Sequence, residues 1–336
     1  YFVVTRVWHL DVGDFGAFLA LMALLYMPAK IVNVAYNNLM NALPSLTRVN
    51  ELFDQKNDLA VNEQGPKVET LESAITFEDV SFHYTEEQSV LKQVSFEATA
   101  GSLTAVVGPT GSGKSTLVDL IMRVRDPSAG RVLVDGVDLG TINLDSYRGM
   151  VAVVPQESFL FNDTVRQNIR YGRGDATDEE VEEAARAACI HDEILAFSEG
   201  YETSAGERGG RLSGGQIQRI AIARAMLKRP SILILDEAAS ALDTKTERLV
   251  QEALERVAQT TTTFVVAHRL TTIQGADQIL VLSKGSLVEH GTHTELLDAG
   301  GVYAGLVERQ LAPGDSTRLD PVTDTEESKD SEGDSK

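Results

Sequence analysis

The stretch Gly108-Pro109-Thr110-Gly111-Ser112-Gly113-Lys114-Ser115-Thr116 restricts what this chain can fold into more than any other segment. A short apolar run, Leu103–Val107, precedes it and reads as a buried strand; a helical pattern, Leu117–Arg123, follows. Strand, glycine-rich loop and helix in that order satisfy the P-loop pattern in the context it requires. Gly108, Gly111 and Gly113 let the backbone curl until successive N–H groups face an anion, and the helix N-terminus adds partial positive charge. Lys114 is placed to reach outer phosphates, and Ser115 to offer its hydroxyl to Mg²⁺. The dinucleotide spacing Gly-x-Gly-x-x-Gly is not matched.

Two further segments have the same chemistry in view. Ile232–Leu235 is uniformly apolar and ends in Asp236-Glu237, a strand delivering two carboxylates to its C-terminal edge, where open α/β sheets place ligands. Asp236 is expected to hold Mg²⁺, through water, and Glu237 to orient or deprotonate an attacking water. Leu212-Ser213-Gly214-Gly215-Gln216 precedes a helical stretch, Ile217–Lys228, that stops before Pro230. Ser213 is a natural N-cap, and the two glycines let a phosphate approach the amides. One nucleotide does not need two anion sites from one domain. Ser213–Gln216 is therefore expected to serve the ATP held by a second copy.

Short β-rich runs at Ile75–Phe82, Val90–Glu97, Arg131–Val134, Met150–Val154, Ser231–Leu235, Thr262–Val266 and Gln278–Leu282 alternate with helical patterns, as in an α/β domain. A helical insert spans Thr177–Phe197, opened by a capping box of Thr177 and Glu180. Its single cysteine, Cys189, lies among alanines and reads as a small buried hydrophobe. His9, His83, His191, His290 and His293 have no metal-ligand spacing.

With these motifs in order, Ala74–Leu311 closely resembles the ATP-binding cassette (ABC) family, and its exporters in particular. Leu212–Gln216 is similar to the family signature. The resemblance implies further roles: Tyr84 stacks on adenine, Gln156 contacts Mg²⁺ and couples nucleotide to the membrane domain, and His268 contacts the γ-phosphate. Gly206–Gly209 resembles the exporter segment touching the coupling helices, and Ser240–Asp243 the loop communicating between two sites. Departures are Ala239, where Thr is frequent, and Ile217, where a polar residue is common; neither bears on phosphate or metal. The implied fold is an α/β P-loop NTPase nucleotide-binding domain, a mixed sheet with a helical subdomain, preceded by a transmembrane helix.

Phe15–Ala29 has no charge but is shorter than the ~20 residues of a spanning helix. Ile31–Tyr36 resumes the apolar character, so a long helix interrupted by Pro28 is expected to span the bilayer; a buried soluble helix is the alternative. Lys30, Asn33, Asn37 and Asn41 share one helical face, either lining a path or marking a helix leaving the bilayer, the latter favoured. The first residue is Tyr1 and no signal peptide opens the chain, which suggests the C-terminal piece of something longer. The expected organisation is residues 1–60 as the end of a transmembrane domain, a linker at 61–73, an ATP-binding domain at 74–311, and an acidic tail at 312–336 too polar to pack.

The formal net charge of −20 argues against a nucleic-acid partner, because phosphate backbones demand clustered Lys and Arg. A transport ATPase in a cell membrane, its ATP domain cytoplasmic and working with a second identical or related half-transporter, fits best. A soluble cassette protein is disfavoured by the apolar segment and by Glu207; a mere ATP sensor is disfavoured by Glu237. The transported substrate is not legible.

Overall fold

Strand Leu103–Val107 shows why its sequence holds no charged residue. Ala105 and Val107 belong to one hydrophobic core and Val106, between them, to another. A strand buried on both faces has no position for a polar side chain, apart from hydroxyls such as the buried Thr104. Leu233 and Leu235 likewise enter the first core, and Ile232 and Ile234 the second.

The protein is described by a computed structural model at residues 12–54, 59, 62–85, 88–236, 248–249, 261–267 and 270–311. It divides into two units, Tyr1–Asp58 and Leu59–Lys336. In the larger unit the described strands are β1 (Ala74–Thr85), β2 (Gln88–Thr99), β3 (Leu103–Val107), β4 (Ala129–Val134), β5 (Val137–Asp138), β6 (Val151–Val154), β7 (Ile232–Asp236), β8 (Thr262–Val266), β9 (Gln278–Ser283) and β10 (Ser286–Gly291). Among the described residues they form an antiparallel sheet in the order β2-β1-β4-β5 and a second sheet in the order β10-β9-β3-β8-β7-β6. The second sheet is mixed: β9, β3, β8, β7 and β6 run parallel, and β10 closes the edge antiparallel to β9. In the first sheet Phe77 and Phe96 are direct cross-strand partners, their rings stacked at 4.5 Å.

One face of the mixed sheet, with the antiparallel sheet and helix α2 (Lys114–Ile121), encloses the second core. The other face is covered by a helical layer. That layer includes α4 (Val165–Arg170), α5 (Asp178–Ala187), α6 (His191–Leu195) and α7 (Gly214–Leu227); α3 (Leu144–Met150) precedes β6. The capping box at Thr177 and Glu180 forms as expected. The insert is not one helix to Phe197, however: α5 ends at Ala187 and Cys189 takes the left-handed region, φ 54°. Cys189 is half-buried. The sequence reading also missed β5 and β10, which are too short or too polar to stand out from turns.

In the smaller unit, α1 (Val12–Asp54) is one helix of 43 residues containing Pro28 and Pro44. At a rise of ~1.5 Å per residue it is roughly 65 Å long, about twice a bilayer's hydrocarbon core. By length and composition it can cross a membrane. Phe15, Phe18, Leu19, Met22, Leu25 and Ile31 are all exposed, an apolar surface that water does not favour. On the polar face, Asn37 Nδ2 donates to Asn33 Oδ1 at 3.4 Å.

Candidate active site

β3 feeds directly into the glycine-rich loop, and two glycines there are required by space as well as by φ. At Gly108 (φ +148°) a Cβ would overlap the carbonyl oxygen of Leu282 on β9; at Gly113 (φ +104°) it would lie 2.7 Å from Leu91 Cδ2 on β2. The loop is thus wedged between strands, with no room for a side chain at either position. Lys114, buried at the first position of α2, donates from Nζ to the carbonyls of Gly108 at 2.7 Å and Pro109 at 3.1 Å. Ser112 Oγ is buried with no hydrogen-bond partner. Such an orphan costs about 1–3 kcal/mol, which an oxygen arriving in the loop would relieve. The loop therefore fits a phosphate chain.

A cavity of about 300 Å³ opens beside it, lined among the described residues by Thr110, Gly111, Gly113, Lys114, Ser115, Thr116, Val90, Gln156, Asp236 and Val266. Asp236 ends β7 and Gln156 lies two residues beyond β6; these strands are parallel neighbours, with Val154 opposite Leu235. Their carboxylate and amide therefore reach the same sheet edge as the Ser115 hydroxyl. All three offer hard oxygen donors of the kind Mg²⁺ takes. Among the described residues no group of His, Cys, Asp and Glu is able to hold a metal by itself. A cation here would be held jointly with substrate phosphates, as Mg²⁺ commonly is.

Tyr84 lies at the exposed end of β1, its hydroxyl 3.3 Å from Thr116 Oγ1, so the ring stands next to the start of α2. Phe82 meets it edge to face at 5.0 Å. The Arg125 guanidinium lies 4.8 Å from the Tyr84 ring centroid and 5.9 Å from that of Phe82. Burial pushes the Asp119 carboxyl up, and Arg125 opposes the shift. Sequence reasoning missed Arg125, since no motif covers the turn after α2.

Ser213 caps α7 reciprocally: Ser213 Oγ accepts from the Gln216 N–H at 3.3 Å, and Gln216 Oε1 accepts from the Ser213 N–H at 2.9 Å. The helix accordingly starts at Gly214, three residues earlier than the periodicity suggested. Gln216's side chain is engaged within this turn, and its Nε2 donates to Glu193 at 3.2 Å. The Ser213 hydroxyl keeps its proton for another acceptor. Ser213, Gly214, Gly215 and Gln216 are not among the described residues lining the Lys114 cavity. Glu237, Ala239, Ser240–Asp243 and His268 lie outside the described residues.

Beyond Gln156 the chain presents Phe159, Phe161 and Tyr171, all exposed, with the Phe161 ring in contact with each of the other two. Arg224 of α7 fastens this segment, donating to the carbonyls of Phe159 (2.9 Å) and Asn168 (2.8 Å) and to Asn168 Oδ1 (2.9 Å). The strand-like contact of Thr164 with Ser204 and the Ala205 N–H bond to Asp163 bring Gly206–Gly209 alongside. This aromatic patch was also missed, because from sequence alone an exposed Phe is indistinguishable from a core Phe.

Wedged loop, buried lysine and oxygen-lined cavity at the C-terminal edge of a largely parallel sheet define a P-loop nucleotide-binding domain. Residues 91–240 match the family described as ABC transporter. This stretch is an ABC-type ATP-binding domain. It is 46% identical over 317 residues to ATP-binding cassette sub-family B member 6 of Xenopus tropicalis, covering 94% of this chain and 37% of the relative. It is 45% identical over 293 residues to the heavy metal tolerance protein of Schizosaccharomyces pombe, covering 87% and 35%. A bacterial Atm1-family ABC exporter solved with ATP bound aligns with TM-score 0.76 and 41% identity, over 91% of this chain and 53% of that one. The chain thus spans little more than a third of the curated relatives' length.

Proposed function

We propose that this chain is the ATP-hydrolysing motor of an ABC exporter, working as a pair of half-transporters that couple nucleotide-driven closure to export across a membrane. The cavity shared by Lys114, Ser115, Gln156 and Asp236 carries the reading. The loop Gly108–Thr116 binds the phosphates, with Pro109, Thr110 and Ser112 contributing to its curl, and Tyr84 stacks on adenine. Mg²⁺, when bound, neutralises phosphate charge; Ser115, Gln156 and Asp236 would hold it, Asp236 through water. Glu237 takes the proton of the attacking water and His268 meets the γ-phosphate.

Ser213–Gln216 serves the nucleotide of the second copy. Its amides form an anion site, and Ser213–Gln216 is absent from the described lining of its own domain's cavity. Each ATP is then part of an interface, closure needs both, and hydrolysis releases it. The exposed Phe159–Phe161–Tyr171 patch supports docking of the transporter's membrane segments beside Gln156, since such a surface is costly in water. In this reading residues 1–60 end the membrane domain in a cell membrane, 61–73 are a linker, 74–311 the cytoplasmic ATP domain and 312–336 an acidic tail. Measuring phosphate release and association state of Glu237→Gln tests the proposal: ATP binding and pairing should persist while hydrolysis collapses. Wild-type turnover from monomers would refute it.

A further inference from the structure

The signature turn is held from behind by a group no motif marks. Glu193, on α6, accepts from Arg219 with both carboxylate oxygens, at 2.8 Å from Nη1 and 3.1 Å from Nη2, and from Gln216 Nε2 at 3.2 Å. Arg219 is only 2% exposed; it also donates to the carbonyl of Gly215 at 3.2 Å and to that of Cys189 at 2.8 Å. Gln216 in turn holds the Ser213 N–H. A continuous path runs from a buried guanidinium through one carboxylate to the cap of α7. The left-handed Cys189 opens the path, because it breaks the helix and frees its carbonyl for Arg219.

We infer that Glu193 is the positioning residue of the Ser213–Gln216 turn, fixing the orientation of the Gln216 side chain and hence of the amides and hydroxyl offered to a second copy's nucleotide. The inference rests on the two-copy reading above. A carboxylate is suited to the task because it accepts from a forked guanidinium and an amide at once. Without it, Arg219 keeps a buried charge with only carbonyl partners, and Gln216 is free to turn away from the cap. Glu193 touches no substrate; it acts through Gln216 and Ser213. Displacements of an ångström at such a site cost on the order of 10²-fold in rate, so a partial slip costs about tenfold.

The test uses the full 336-residue chain in detergent, with Glu193→Ala, Glu193→Gln and, as a control on pairing, Ser213→Arg. ATP binding is read with a fluorescent ATP analogue, and turnover by phosphate release. Glu193→Ala should lower kcat about tenfold and leave affinity for the ATP analogue unchanged. Glu193→Gln, which keeps one acceptor oxygen, should fall between Ala and wild type. Should Glu193→Ala fail to fold, Glu193→Gln carries the same split of kcat against affinity. A folded Glu193→Ala, or in its absence Glu193→Gln, with wild-type turnover overturns the inference, as does a loss of analogue affinity matching the loss of rate. If Ser213→Arg also turns over normally, the two-copy reading is what has failed; if Ser213→Arg is inactive while the Glu193 variants are normal, only the role of Glu193 has.

Discussion

Lys114 Nζ donates to the carbonyl oxygens of Gly108 and Pro109, closing the P-loop upon itself. The ammonium thereby stays buried within the loop that would receive phosphate. Charge-assisted bonds are worth about 1.5–3 kcal/mol, so Lys114→Ala should weaken ATP binding roughly 10- to 100-fold. Calorimetric titration checks this, and a variant with unchanged affinity would remove Lys114 from the site.

The Ser112 hydroxyl is buried and orphaned. Ser112→Ala removes the orphan and should raise the thermal midpoint of the ATP-free chain while slightly weakening ATP binding. Comparing melts with and without nucleotide measures both effects. A lower midpoint without nucleotide would mean the hydroxyl has a partner in solution.

Tyr84 and Arg125 form a second pair. If Tyr84 carries the base, Tyr84→Ala should weaken ATP by about 1–3 kcal/mol, the usual worth of base–aromatic stacking. Arg125→Ala removes an exposed cation–π contact worth about 0.5–1 kcal/mol, so a two- to fivefold loss is expected. Inorganic tripolyphosphate, which lacks the base, should bind both variants like wild type; equal losses for it would place the defect at the phosphates instead.

Glu180 and Glu295 predict how stability depends on pH. The Arg173 hydrogen bond, then the Thr177 N–H, hold the Glu180 carboxyl below its ordinary 4.5; the Thr292 N–H does the same for Glu295. A depressed folded value gives stability that is present above 4.5 and lost as pH falls through the folded value. The thermal midpoint should therefore drop as pH is lowered from about 4.5, and less steeply in Glu180→Gln/Glu295→Gln. Parallel curves for the two chains would count against these caps as contributors.

Much of this was determined by local sequence. A P-loop needs glycines at set positions, a lysine and a hydroxyl, and those residues are consecutive, so Gly108–Thr116 was readable without a fold. The strands Leu103–Val107 and Thr262–Val266 were readable to the residue, because burial on both faces leaves β-prone runs with no charged residue. The Thr177 capping box was readable for a similar reason: its bonds span three residues.

What the tertiary structure decided involves partners distant in sequence. Gln156 and Asp236 are eighty positions apart and share a cavity only because β6 and β7 pair in parallel. Arg125 meets Tyr84, Arg224 grips Phe159, and Glu193 takes both Arg219 and Gln216, none of them at a helical or strand repeat from its partner. Periodicity encodes which face of an element is buried, but not which other element covers it. The chain's chemistry was therefore written in its motifs, while the groups that hold those motifs in place became visible only once the sheet and helices were packed.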